Sequence, residues 1–405
     1  EALRHNVENA ERMLADSAIT ECLEARRRAV ALLNWHIEPE DAKDANQKTI
    51  AAELTKICSR IPWFMQMRDS LLQAVWYGRY GVAIRNASVE VGSKRRILPA
   101  SWEPRHGDKL VFRYDDGSGK YEAGQVGIRI SVAGTYQGNM LESLRDRKLI
   151  EYTGHGMVRW FDHNERRLLL VHKHMREDGP FHDVLSAGRI HGVGVRSKIY
   201  WTWYQMVEVI QRVLQFLDRA AFGVELWRYP ANNPKAKEKT ETAAKNAQSG
   251  GRSVVLVPVE PGENADLYGV EHVEPGLAGV DRLLTVVKEF FMHKIKRYVL
   301  GQTLTSEADA TGMGSGVADA HMATFFDIVQ YDAIGLEETL TTDLLRNLQL
   351  WNMPDTMRHY MRFKIDTKAP DVKDKLSGLK AAWDMGASLK ATDLYDLLGL
   401  SMPSK

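Results

Sequence analysis

The sequence predicts an α+β, mainly helical chain, and three observations carry that prediction. Apolar residues recur at helical spacing over several long stretches, the region from roughly 82 to 175 switches to short β-prone runs, and one polar excursion separates two rod-like patterns. At 405 residues the chain is long enough for two or three domains, or for one elongated subunit with several regions.

From Leu3 to Leu33 apolar positions repeat at three and four with no Gly or Pro between them, which predicts one long helix stopped at Pro39 in NWHIEPED. A second helical pattern covers roughly 45 to 60. Pro62 then opens a third, WFMQMRDSLLQAVWYGRYG, closed by Gly78 and Gly81. Between 82 and 175, ILPASWEPR, KLVFRYDDGSGKYEA, QVGIRISVAG and RRLLLVHKHM read as an antiparallel sheet region with DDGSG-type turns.

Ile199, Trp203, Met206, Ile210, Val213 and Leu217 follow spacings of 4, 3, 4, 3 and 4, a single apolar stripe on a helix packed against another. If 196 to 222 is helical throughout, the rod is roughly 40 Å long at about 1.5 Å per residue. Residues 231 to 251, ANNPKAKEKTETAAKNAQSGG, are polar and Lys-rich and lead into SVVLVPVE, an exposed excursion with a solvated helix and a small sheet. Leu277, Val280, Leu284, Val287, Phe291, Ile295 and Tyr298 form the stripe of a second rod. After the segment GQTLTSEADATGMGSGVADAH, MATFFDIVQYDAIGLEETLTTDLLRNLQLWNM is a third long helical pattern and MRFKIDTK a strand. The tail DKLSGLKAAWDMGASLKATDLYDLLGL has the texture of two short helices.

Lys plus Arg number 54 and Asp plus Glu 53, a formal net charge of +1, so no global basic field draws the chain onto nucleic acid and any DNA contact is local. The only cysteines, Cys22 and Cys58, exclude a disulfide framework and a thiolate-rich zinc site, which fits a reducing compartment. The sequence begins at Glu1 with an amphipathic, charged stretch unlike a signal peptide, and a missing N-terminus is the expectation. The least charged stretches, such as IYWTWYQMV, are about half a bilayer span, so no transmembrane segment is expected.

Four constellations invite a chemical reading. TGMGSGVADA resembles a phosphate-binding loop but lacks both the preceding strand and the Lys. No Lys or Arg occurs between Arg297 and Arg346, while Glu307, Asp309, Asp319, Asp327, Asp332, Glu337, Glu338 and Asp343 do, so a triphosphate would be repelled. GRIHGVGVRS, with Arg189 and Arg196, opens a helix and reads as a tight strand-to-helix joint rather than an anion cradle, since no dinucleotide fingerprint follows. His172 and His174 point the same way from a strand, with His182 nearby, and lack a carboxylate or Cys at motif spacing for a metal. Basic residues cluster on the rods instead: Arg189, Arg196, Lys198, Arg212 and Arg219, then Lys288, Lys294, Lys296 and Arg297.

Taken in order, RRRAVALLNWHIEP at 26 to 39, LLQAVWYGRYGVAI at 71 to 84, GRIHGVGVRSKIYW at 188 to 201 and FGVELWRYP at 222 to 230 resemble the portal proteins of tailed bacteriophages, specifically the Mu-type portal family, over nearly the whole chain. The resemblance implies a ring, typically of twelve subunits, at one capsid vertex in the virion, assembled in the host cytoplasm. It implies a wing (1–187), a first stem helix (188–222), a small α/β clip (223–276), a second stem helix (277–300), a tunnel loop (301–319), a wing-crossing helix and strand (320–370) and crown-like short helices (371–405).

On this resemblance Thr303, Thr305, Ser306, Glu307, Asp309, Thr311, Met313 and Ser315 line the DNA channel, and Lys294, Lys296 and Arg297 are stem cations facing DNA. Arg228, Tyr229, Lys235, Lys237, Lys239 and Lys245 face terminase and adaptor on the clip, and Trp203, Met206, Ile210, Val213 and Leu217 pack subunits. The implied partners are double-stranded DNA, the large terminase subunit, the head-tail adaptor and the major capsid and scaffolding proteins. No cofactor, metal, membrane or catalytic residue is implied. The rival reading is an enzyme acting on nucleic acid or nucleotide through the glycine loop or the His172 and His174 pair; a third is a different phage head component with long helices.

Overall fold

The structure, a computed structural model, describes residues 7–113, 125–130, 149–153, 156–174, 192–222, 224–248, 253–260, 268–273, 280–301, 315–367 and 380. In chain order the elements are α1 (Val7–Leu14), α2 (Ser17–Ala31), β1 (Trp35–Pro39), α3 (Ala45–Cys58), α4 (Phe64–Leu71), α5 (Ala74–Tyr77), β2 (Arg79–Val91) and β3 (Lys94–Arg105). Next come β4 (Leu110–Phe112), β5 (Val126–Ile130), β6 (Ile150–Thr153), β7 (Gly156–Trp160), α6 (His163–Arg166), β8 (Leu169–Lys173), α7 (Arg196–Phe222), β9 (Val224–Pro230), α8 (Pro234–Gln248), β10 (Ser253–Val259) and β11 (Gly269–Val273). A π-helical segment, Val286–Met292, joins α9 (Val280–Thr285) to α10 (His293–Leu300). A second, Leu340–Leu345, joins α11 (Ser315–Thr339) to α12 (Arg346–Asn352), and β12 (Met361–Ile365) follows.

The chain divides into two compact units, Glu24–Gly194 with Met322–Lys405, and Glu1–Leu23 with Val195–His321. The residues grouped in sequence as 1–187 are therefore shared, since the first 23 cluster with the rods.

Among the described residues the first of these units holds three antiparallel sheets, in strand orders β1-β12, β3-β2-β8 and β4-β5-β7-β6. The expected antiparallel region is thus two sheets, and its first strand starts at Arg79, so Gly78 alone ends the preceding helix, at φ +86°, while Gly81 lies in β2. NWHIEPED is more than a helix stop: Trp35 to Pro39 pairs with Ile365 to Met361. That pairing stacks Trp35 on Phe363 at 5.1 Å, with Phe64 edge-on to both, and a core of Leu54, Met67, Leu71, Leu336, Leu340, Leu344 and Leu348 surrounds them.

The expected single helix from Leu3 to Leu33 is two. The Asp16 carboxylate accepts the Ala18 N–H at 3.0 Å and the Thr20 hydroxyl donates to the Leu14 carbonyl at 2.6 Å, so a short polar side chain starts a new helix inside the apolar pattern. No helix among the described residues is long and apolar enough to cross a membrane. The tail expected to form two short helices lies outside the described residues except Lys380.

Candidate functional site

The expected rods and excursion fall in one unit. Helix α7 covers the anticipated 196 to 222 and packs along α9, the π segment and α10. Its apolar stripe works mostly inside the protomer. Ile199, Met206 and Val213 are buried, while Trp203, Ile210 and Leu217 are half-buried. The stripe assigned to subunit packing is therefore used first to hold the second rod. The surface left over is different: Trp201, Tyr204, Leu214 and Phe216 on the first rod, and Leu283, Leu284, Val286, Phe290 and Tyr298 on the second, are all exposed.

The second rod departs from its expected stripe for a geometric reason. A π-helical segment carries extra residues per turn, which rotates every later side chain about the axis relative to a regular helix. Val287, Phe291 and Ile295 are buried as anticipated, whereas Tyr298 is exposed and Val299 and Leu300 take the inward positions; Leu284, which precedes the segment, is also exposed. Leu277 lies outside the described residues. The same rotation buries Lys296 at 7 % exposure, close enough to Cys22 for its charge to act on that thiol. Lys296 is thus a core residue of the rod pair, which corrects its expected role facing DNA; Lys294 and Arg297 are exposed.

At the far end of the rods the excursion forms a sheet in the order β10-β9-β11, with β9 and β10 parallel and β11 antiparallel to β9. Helix α8 is the crossover between the parallel pair, burying Ala236 and Ala244, so this is a βαβ unit with one added edge strand. Lys235, Lys237, Lys239 and Lys245 are exposed on α8, with Lys237 3.8 Å from Glu241. Arg228 and Tyr229 are half-buried, and the Arg228 guanidinium pairs with Glu271 across the sheet. Val255, Val270, Val273 and Tyr268 leave apolar surface exposed on this sheet.

Of the anticipated channel loop, Thr303, Thr305, Ser306, Glu307, Asp309, Thr311 and Met313 lie outside the described residues, and Ser315 is the first residue of α11. Gly301, at φ +73°, ends the second rod in the left-handed conformation that glycine adopts without strain. The cation-free stretch is not one open acidic field. Asp332 receives two hydrogen bonds from Arg26 at 2.6 and 2.9 Å, Glu337 accepts from the Ile365 N–H and Lys364, and Asp343 accepts from Arg166 and the Val171 N–H. Three of the acids are thus neutralised by cations brought from elsewhere in the chain, a pairing that spacing along the sequence does not reveal.

The histidine pair of the rival reading lies in the core. His172 and His174 do share a face of β8 and its extension, but both are buried, at 2 and 3 % exposure. His172 Nδ1 lies 2.9 Å from the Thr339 hydroxyl. Burial, the neighbouring His174 and, against them, Asp332 set the His172 pKa down to about 4; burial and then Arg26 hold His174 down to about 3. The 3.6 Å approach of His174 Nδ1 to Asp332 is therefore a contact of a neutral imidazole, not an ion pair. His182 lies outside the described residues, and among the described ones no three His, Cys, Asp or Glu side chains converge as a metal site.

The second glycine cluster is a structural joint. A Cβ on Gly194 would meet the Trp76 carbonyl at 1.9 Å, and one on Gly192 would meet the Gly78 carbonyl at 2.1 Å. Gly192 takes φ +74°, and the chain here is held by the Val193 N–H to the His174 carbonyl at 2.9 Å. Two backbones cross where only glycine fits.

No curated protein matches the sequence. In structure the chain is similar to one in the virion of a native gene transfer agent particle, at 12% identity and TM-score 0.53 over 99% of this chain and 94% of that one. It is also similar to a chain in the neck of an empty gene transfer agent particle, at 12% identity and TM-score 0.51 over 95% and 90%. At that identity the likeness shows a shared fold alone. The family described as the portal protein of Mu bacteriophage matches residues 7–400, from the first described helix through the rods, the βαβ excursion and the long helix beyond them. The chain belongs to the Mu bacteriophage portal protein family.

Proposed function

We propose that this chain assembles into a closed ring of about a dozen copies at one capsid vertex, that duplex DNA passes along the ring axis, and that the ring itself carries out no catalysis. The observation that carries the reading is the rod pair. Two helices bury their facing stripes against each other and still leave Trp201, Tyr204, Leu214, Leu283, Leu284 and Phe290 exposed, more apolar surface than a solitary protomer covers.

On this reading residues 188–222 and 277–300 form the stem and 223–276 the clip. The exposed lysines of α8 and the apolar sheet beside it suit the docking of terminase, which supplies ATP hydrolysis, and later of the head-tail adaptor. On this reading the segment 301–319, whose last five residues begin α11, faces the channel. A segment without Lys or Arg makes no strong phosphate contacts, so DNA slides past it without being gripped.

Negative-stain images of the purified full chain test the reading. Closed rings of about a dozen protomers are expected, and a well-behaved monomer under every assembly condition overturns it.

A further inference from the structure

The rods also specify how one copy meets the next. Helix α7 ends at Phe222, two residues before Val224, which pairs antiparallel with Val273, and the second rod starts at Val280. The two rods therefore leave the sheet from a common end, and since α7 contacts all three segments of the second rod they run side by side and antiparallel. Residue counts from the helix ends nearest the sheet are alike. Tyr204 stands 18 residues from Phe222 and Tyr298 stands 18 from Val280; Glu208 and Lys294 each stand 14 away.

Directions match as well. At about 100° per residue, Trp201, Tyr204 and Glu208 fall on the side of α7 opposite the buried Ile199, Met206 and Val213. By the same count Lys294, Arg297 and Tyr298 lie on the side of α10 opposite the mean direction of its four buried residues, Ile295, Lys296, Val299 and Leu300. Each protomer thus shows two unlike faces pointing away from its own rod contact, one aromatic and acidic, the other cationic and aromatic. The Tyr204 hydroxyl already bonds Glu208, and Lys294 Nζ already sits 5.5 Å over the Phe290 ring, so both faces carry groups disposed for charge pairing and for cation–π contact.

Copies related by rotation about one axis meet at equal heights through unlike faces. We propose that Trp201, Tyr204 and Glu208 of one protomer pack against Lys294, Arg297 and Tyr298 of the next, an inference that rests on the ring reading above. Lys294 and Arg297 then serve as a seam between neighbours, not as a lining for DNA.

The test is a full chain carrying Glu208→Cys and Lys294→Cys together, oxidised after assembly and run under denaturing, non-reducing conditions beside each single variant. The native thiols interfere little, because burial pushes Cys22 up to about 11 and Cys58 to about 12. A covalent ladder reaching the ring size is expected from the double variant and from neither single one. Rings without a ladder, or a monomer closed on itself by its own disulfide, overturn the seam while leaving the ring intact. Absence of rings in the unmodified chain overturns the ring reading and the seam with it. Should the double cysteine variant fail to fold, Glu208→Lys is expected to lower ring yield on the order of tenfold and added Lys294→Glu to restore it; a reversal without effect also overturns the seam.

Discussion

At neutral pH His174 stands beside Arg26 and Asp332 without a charge of its own, and the whole cluster depends on that neutrality. Both histidines have folded pKa values below the ordinary 6.5, so the unfolded chain takes up protons first as pH falls. Stability is then full above about pH 6.5 and declines from there down to about pH 4 for His172 and about pH 3 for His174. At pH 5 each histidine costs about 2 kcal/mol. Thermal unfolding of the chain followed from pH 7 to pH 5 is expected to show this fall, and His172→Gln with His174→Gln to flatten it. Asp332→Ala removes the carboxylate that takes two hydrogen bonds from the buried Arg26 guanidinium and is expected to cost about 3–5 kcal/mol, read as a drop in the denaturant midpoint. None of this network was legible in the sequence, for Arg26 and Asp332 are 306 positions apart. What was legible was that the two histidines share one face, because alternation on a strand puts residues 172 and 174 on the same side; their burial was not.

Among elements, a long regular stripe reads well and a local insertion reads badly. The helical run of the first rod was legible because 27 residues carry an uninterrupted apolar pattern, although the stem helix was expected from 188 and α7 begins at Arg196. The second was legible in existence and length, but the π segment moved Tyr298 outward and Val299 inward, and no residue in VVKEFFM announces such a turn. Strand β1 was missed because its five residues are flanked by helices and are held by a partner more than 300 positions away. The rods separate folding from assembly. Met206→Asp places an unpaired carboxylate at 4 % exposure between the rods and is expected to destabilise the protomer by several kcal/mol, lowering its soluble yield. Leu214→Asp, at 56 % exposure, is expected to leave the protomer's unfolding free energy within about 0.5 kcal/mol of the original while reducing ring formation. Equal effects on folding and assembly from the two substitutions would contradict the distinction between inner and outer faces.

For the whole molecule, the segment GQTLTSEADATGMGSGVADAH poses a question of sequence chemistry that the surrounding structure sharpens. It starts at Gly301, the glycine C-cap of a rod, and from Ser315 onward it is already the beginning of α11, so both of its ends are anchored to helices. The acids following it, at Asp332, Glu337 and Asp343, are already matched by Arg26, Lys364 and Arg166 and repel nothing at a distance. What the segment contributes is therefore its own composition: glycines, small polar residues, and no cation to hold a phosphate. Its sequence carries no repeating apolar stripe, so on the ring reading it matters less for building the protomer than for a process in which DNA moves past it. Removing residues 305–316 is expected to leave ring formation and thermal midpoint unchanged while impairing DNA packaging or retention, measured as the amount of DNA protected from nuclease in assembled particles. Introducing lysines at Glu307 and Asp309 is the complementary change. If the segment works by not gripping, added cations should slow DNA movement in a salt-dependent way, with the difference from the original shrinking as ionic strength rises and phosphate contacts are screened.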